Sequence, residues 1–239
     1  MKFCYIFLVL IGLGQVSFSQ TYQDYYNRGL KKEAKQDYVG AILDFNKSIL
    51  LNPKFSKAHY NRGVAKYYSN DYTGAVMDFT KAIELNLNIA PDGYYIMRSR
   101  AKNALFDRVG AMSDLNTAIS LYPLSSNAYI GRGNLKGVYL GDHLGAISDY
   151  DQVIRIDPKN GLAYNCRGSA KESLEDYVGA LNDYTKAIDL RSDVGVFYYD
   201  RGKLLIIYLN DKVRGCLDLS KSGELGYEDA YDEIKHFCL

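Results

Sequence analysis

The chain has 239 residues, 47% of them hydrophobic, and its 29 basic and 28 acidic side chains give a formal net charge of +1. That composition is apolar enough to bury a large core. It leaves no basic excess to neutralise phosphates, and the cations recur beside acids, so nucleic acid is not an expected partner.

The first twenty residues carry one cation at Lys2, an apolar run from Phe3 to Leu13, and a small-x-small site at Ser17, Phe18 and Ser19. This pattern predicts a signal peptide over 1–19, with Gln20 as the new N-terminus. The run is shorter than the ~20 apolar residues that cross a bilayer, so no stable membrane insertion is expected after cleavage. The mature chain is expected to be exported, to the periplasm, the cell envelope or the medium.

From Thr21 onward one unit recurs, most clearly in Ala58 to Leu87, which reads as two helices and a turn. Its arginine returns at Arg28, Arg62, Arg98, Arg132, Arg167 and Arg201, spaced by 34, 36, 34, 35 and 34 residues. A presumed helix cap follows at Asp37, Asp71, Asp107, Asp142, Asp176 and Asp211, and a small residue at Gly40, Gly74, Gly110, Gly145, Gly179 and Gly215. The repeats are expected at about 21–53, 54–89, 90–123, 124–158, 159–191 and 192–226. Pro53, Pro123 and Pro158 fall just past second helices, where a residue without an N–H stops the helix. Repeat four is read with one extra residue near Gly141 and repeat six with two near Asn210, lengths a turn tolerates. Residues 227–239 space Ala230, Tyr231, Ile234 and Phe237 as one helical face, a capping helix for the exposed end of the stack.

Within the unit, Gly29, Gly63, Gly133, Gly168 and Gly202 follow the arginine at a cost of about 1 kcal/mol each relative to alanine, with Ser99 the exception. The cost implies close helix approach, against Ala41, Ala75, Ala111, Ala146, Ala180 and Cys216. Phe45, Phe79, Leu115, Tyr150 and Tyr184 are expected to fill the space between hairpins. Each arginine has an aspartate sixteen or seventeen residues on, at Asp44, Asp78, Asp114, Asp149, Asp183 and Asp218. These are read as a structural charge ladder, a planar fork meeting a carboxylate, that sets register. Tyr25, His59, Tyr95, Tyr129, Tyr164 and Tyr198, three residues before each arginine, are assigned to packing.

Six copies of this unit resemble the tetratricopeptide repeat family, over about Thr21 to Gly226. The resemblance implies an all-α, right-handed α-solenoid of six helix-turn-helix repeats that binds a protein or peptide partner and does no chemistry. In that family one face of the first helices lines the concave surface, two before, two after and five after the arginine here. The partner-binding groove is thereby assigned to Tyr26, Leu30, Tyr60, Val64, Tyr67, Ile96, Arg100, Ile130, Asn134, Asn165, Ser169, Tyr199 and Lys203, with Glu33, Asn103, Gly137, Glu172 and Ile206 at the remaining places. The lysine–asparagine–arginine clamp by which some members hold a C-terminal carboxylate is not matched: Tyr26, Leu30, Gly93 and Met97 stand at its places, and only Asn61 fits.

Cys216 opens the last second helix and Cys238 ends the capping helix, an antiparallel arrangement that makes a disulfide between them an open expectation in an exported protein. Cys166 is then a free thiol. No phosphate loop, nucleophile elbow or metal-ligand spacing stands out, so no catalytic residue, metal or cofactor is expected. Two competing readings remain: a glycan or cell-wall fragment receptor using the groove tyrosines, and a self-associating structural subunit of an envelope assembly.

Overall fold

The computed structural model describes residues 21–86 and 91–239. The expected signal peptide lies outside them. The described residues form thirteen α-helices, one π-helical segment and no strands. Six hairpins follow one another: α1 (Tyr22–Glu33) with α2 (Tyr38–Leu51), α3 (Ser56–Tyr68) with α4 (Tyr72–Glu84), α5 (Asp92–Ala104) with α6 (Arg108–Leu121), α7 (Ser126–Asn134) with α8 (His143–Ile156), α9 (Gly161–Ser173) with α10 (Tyr177–Leu190), and α11 (Gly195–Ile207) with α12 (Lys212–Glu224). A last helix, α13 (Asp229–Phe237), lies on α12. Each helix packs on its neighbours in sequence, which makes the molecule an all-α solenoid.

Every hairpin turns in the same way. One residue in the left-handed region precedes the aspartate: Gln36, Asn70, Phe106, Gly141, Glu175 and Asn210, with φ between 52° and 70°. The aspartate then accepts a backbone N–H at the start of the second helix, which the helix itself cannot pair. In five hairpins that donor is the glycine three residues on; a Cβ at Gly40 would stand 2.1 Å from an Asp37 carboxylate oxygen, so this small residue makes room for the cap. In the sixth, Asp211 takes the N–H of Arg214 and its guanidinium as well.

That cap corrects the sequence reading of repeat six. Asp211 lies ten residues after Arg201, as Asp142 does after Arg132, against nine elsewhere, so repeat six holds one extra residue and not two. Gly215, three residues before Asp218 as Ala41 is before Asp44, takes the buried small position, and Cys216 sits beside it. Aligning Gly215 with the cap glycines caused the slip. In repeat four the extra residue is absorbed as a π segment, Leu135–Tyr139, a local wide turn that continues α7.

In hairpins one, two, four and five the glycine after the recurring arginine faces the ring of its own second helix. A Cβ at Gly63 would meet the fully buried Phe79 ring at 2.8 Å, and at Gly133 the Tyr150 ring at 2.6 Å. In repeat three, where Ser99 replaces glycine, the corresponding second-helix residue is Leu115, not a ring, and in repeat six Gly202 faces Leu219 and the Gly215 carbonyl. A ring therefore demands glycine opposite it, whereas leucine accepts glycine or serine.

The end of the solenoid is covered by α13. Its Ala230 is fully buried, in the register that Ala58, Ala128 and Ala163 hold in first helices, so α13 sits as the first helix of a seventh hairpin. Cys216 and Cys238 form a disulfide, Cα to Cα 5.8 Å, tying α13 to α12. Cys166 is a free thiol.

Gly63→Ala gains about 1 kcal/mol in helix propensity but overpacks the Phe79 ring at a cost of about 2 kcal/mol. Denaturant unfolding should show the single variant destabilised. Added to Phe79→Leu, the same change should become stabilising, copying the Ser99–Leu115 pairing; equal effects in both backgrounds would refute the matching.

Candidate functional site

The arginines and aspartates are placed together inside the stack. Asp44, Asp78, Asp114, Asp149, Asp183 and Asp218 are all buried, and each receives the arginine of its own hairpin, for example Arg98 Nε and Nη2 at 2.9 and 2.6 Å from Asp114. In five hairpins a lysine one turn after the arginine joins the same carboxylate, as Lys102 does at 2.9 Å; Leu205 stands there in the sixth. The guanidinium's other end reaches back to the previous hairpin. Arg62 bonds Asn46, Arg98 bonds Thr80, Arg132 bonds Asn116, Arg167 bonds Asp151, and Arg201 bonds Thr185. Tyr25, Tyr95, Tyr129, Tyr164 and Tyr198 lie under Arg28, Arg98, Arg132, Arg167 and Arg201 at 5.0 to 5.9 Å, a cation–π contact. His59, the member of that series in repeat two, instead holds the Pro53 carbonyl and approaches Asp78. With both ends occupied, these arginines are joints within the stack and not contacts for a ligand.

The first helices of successive hairpins touch (α1–α3, α3–α5, α5–α7 and α9–α11) more closely than any pair of second helices, which curves the array towards the first-helix side. The groove assigned from sequence lies on that side, but its residues divide. Val64, Ile96 and Asn165 are buried, Val64 and Ile96 within core clusters, and present almost no surface to a partner. Tyr60 is stacked on Tyr94 at 4.2 Å and 12°, part of the seam between hairpins two and three. Tyr26 donates to Asn61 at 3.4 Å, and Asn61 donates to Glu33 at 3.3 Å. Tyr199 donates to Glu233 and Lys203 pairs with the same carboxylate at 3.1 Å, so α13 occupies both. Arg100 and Ser169 are exposed, and Leu30, Tyr67, Ile130 and Asn134 are half-buried.

Two concave pockets form on this face. One of about 280 Å³ lies between hairpins three and four, lined among others by Tyr67, Arg100, Asn103, Ile130, Asn134 and Tyr139. The other, about 240 Å³, is lined by Ser169, Glu172, Tyr184, Tyr199, Asp200 and Lys203. Asp200, Ser173, Tyr208 and Tyr139 are among the pocket residues that the sequence reading left out. Asp200 precedes its arginine, a position on the same face as the assigned offsets, and its place was recoverable from helical spacing. Tyr139 reaches the groove only because the π segment shifts the register, which no fixed offset anticipates.

Two ladder aspartates, Asp44 and Asp78, and two carboxylates of the first-helix face, Glu33 and Asp200, shift in opposite directions. Burial acts to raise Asp78, but His59, Arg62 and Lys66 hold it well below the usual carboxylate range; at Asp44 the Arg28 hydrogen bonds do the same. Their stabilisation is complete above the unfolded carboxylate value and is lost as pH falls through the depressed one. Asp200 is pushed up to about 6 by burial, reinforced by the nearby Glu172 charge and opposed by the Asn165 hydrogen bond and Lys203. Glu33 is raised by burial, against its Asn61 hydrogen bond.

Residues 56–89 match the family model for the tetratricopeptide repeat. A search of the curated proteins found no match to the chain. Among solved structures the chain is similar to MamA, with 24% identity over 69% of this chain and 94% of that one and a TM-score of 0.60. It is similar to YrrB, described as a tetratricopeptide repeat protein with an unusual peptide-binding site, with 22% identity, 71% and 86% covered, and a TM-score of 0.54. Pseudomonas aeruginosa pilF has 14% identity, 89% and 97% covered, and a TM-score of 0.70. At these identities the likeness is one of fold.

Two outcomes test the electrostatics. Arg132→Met should destabilise by about 3 kcal/mol by leaving buried Asp149 with Lys136 alone, whereas Arg132→Met with Asp149→Leu should return to within about 1 kcal/mol of the parent in urea unfolding. For Asp200, the raised value means that its favourable contribution is present below the unfolded value and lost as pH rises through about 6. Asp200→Asn should therefore stabilise by roughly 2 kcal/mol at pH 7.5 and have no effect at pH 3.5; a pH-independent change in Tm would contradict the assignment.

Proposed function

Since residues 56–89 are a tetratricopeptide repeat and the chain folds as a solenoid of such hairpins, we propose that it is a non-catalytic scaffold which holds an extended segment of a partner protein along its first-helix face. The observation that carries this reading is the division of the arginines and polar residues. The ladder arginines are spent on joints inside the stack, while the concave face keeps two pockets and half-buried tyrosines open to solvent. Rigid aromatic rings such as Tyr67 supply contact area with little entropy to lose, and a preformed groove needs little rearrangement to accept a chain. YrrB, with a described peptide-binding site, supports the reading by fold.

The setting is proposed from the first nineteen residues: export from the cytoplasm after cleavage behind Ser19. N-terminal sequencing of the protein recovered from the envelope or medium checks that part alone.

A photo-crosslinking residue at exposed Ser169, in the groove, should capture a defined protein in the cells that make this chain. The same residue at exposed Asn182, on a second helix, should not. Equal capture from both positions would place the contact off the groove, and adducts only between copies of this chain would favour self-assembly.

A further inference from the structure

The groove's central pocket carries an inference that rests on the scaffold reading and narrows it to a chemistry. It lies where hairpins two, three and four meet, at about 280 Å³. Arg100 lines it and, unlike the six ladder arginines, has no carboxylate partner among the described residues, where its side chain meets the Met97 sulfur at 4.0 Å. Tyr150 donates to the Asn134 oxygen at 2.7 Å, which turns that amide's oxygen away and leaves its N–H groups without a protein acceptor among the described residues. Asn103 also lines the pocket, its amide oxygen buried and without a hydrogen-bond partner among the described residues. Tyr67 and Tyr139 add phenolic hydroxyls, and no acidic residue is among the lining. Tyr139 is brought there by the π segment.

A concave site presenting one guanidinium and several N–H and O–H donors, with no carboxylate of its own, is complementary to a singly charged, planar acceptor. We propose that this pocket binds a carboxylate of the partner segment, gripped by Arg100 and oriented by Asn134. A lone cation suits a single negative charge better than a doubly charged phosphate. The arrangement is separate from the clamp that some tetratricopeptide proteins place in their first three repeats, whose positions here hold Tyr26, Leu30, Gly93 and Met97. The nearness of Arg100 to the phenols of Tyr60 and Tyr67 is consistent with a guanidinium turned into the groove: its charge opposes the rise that burial gives both groups.

The carboxylate can be an aspartate or glutamate side chain or a C-terminus, and the test has an arm for each. Short random peptides, displayed either internally or with a free C-terminus, are selected on the full chain and on Arg100→Gln. Arg100 is exposed and holds no joint, so the variant should melt with the parent. The expected result is one fixed acidic position in the internal arm, or dependence on the free terminus in the other, with the preference lost on Arg100→Gln. Replacing that acid by its amide in a selected synthetic peptide should weaken binding to the parent about tenfold or more and leave binding to Arg100→Gln unchanged. Selected peptides with no acidic preference, or a preference that survives Arg100→Gln, would overturn the proposal while leaving the groove standing. Recovery of no peptide in either arm would overturn the groove reading and this one with it.

Discussion

A single guanidinium joins each hairpin to itself and to the one before it. One edge of the fork meets the buried aspartate of its own second helix, the far nitrogen reaches a polar side chain on the preceding second helix, and in five hairpins the flat face rests on a tyrosine one turn back. Lysine could not do this, because a point charge on a flexible stem has neither the fork nor the face. Burying a carboxylate among helices is costly, and the attraction of the cations mainly offsets that cost. What the joint adds is geometry: only one translation and one rotation between neighbouring hairpins satisfies both ends of the fork. A stack of hydrophobic faces alone would tolerate slippage, since Ala41, Ala75 and Ala111 offer similar surfaces.

The groove is a consequence of that fixed geometry. The joint and the glycine-against-ring contact draw the two helices of a hairpin together, and the closer meeting of successive first helices bends the array towards them. A residue's fate on the concave face then depends on how near it lies to the seam. Val64 and Ile96 fall into the seam and become core, Tyr60 closes over it, and Arg100 and Ser169 project from it. At Asp200 and Glu33 the loss of water outweighs the hydrogen bonds and, at Asp200, the Lys203 charge, so both rise, while the ladder aspartates that shift are held down by their cations.

The architecture was legible because it is periodic: an arginine, a glycine and an aspartate at constant offsets carry the turn, the close approach and the joint together. The face of each first helix was legible for the same reason. Depth on that face was not, because burial depends on the neighbouring hairpin's side chains; Val64 and Tyr67 share a face and differ in exposure through Ala75, Phe79 and Ala101, which pack on the former. Single-residue insertions defeated fixed offsets in both places where they occur. In repeat four the π segment brought Tyr139 into the pocket, and in repeat six Arg214 took the cap-donor place and Gly215 the buried small one. Asp200, one residue before its arginine and three before Lys203, lay within reach of the same helical argument, but the family's offsets do not include its position.

The last helix takes the position of a further hairpin's opening half and is fastened there by a disulfide, and its Glu233 lies on Tyr199 and Lys203 as a partner's side chain would. The trough therefore has a floor and two walls along its course but is dammed at one end by the chain itself. Under the proposed scaffold role, a segment lying in the trough would have to finish, or leave sideways, before Glu233. Such a closed end gives the surface a polarity, and the place of a bound segment would be measured from that fixed stop and not from an arbitrary point along a uniform track.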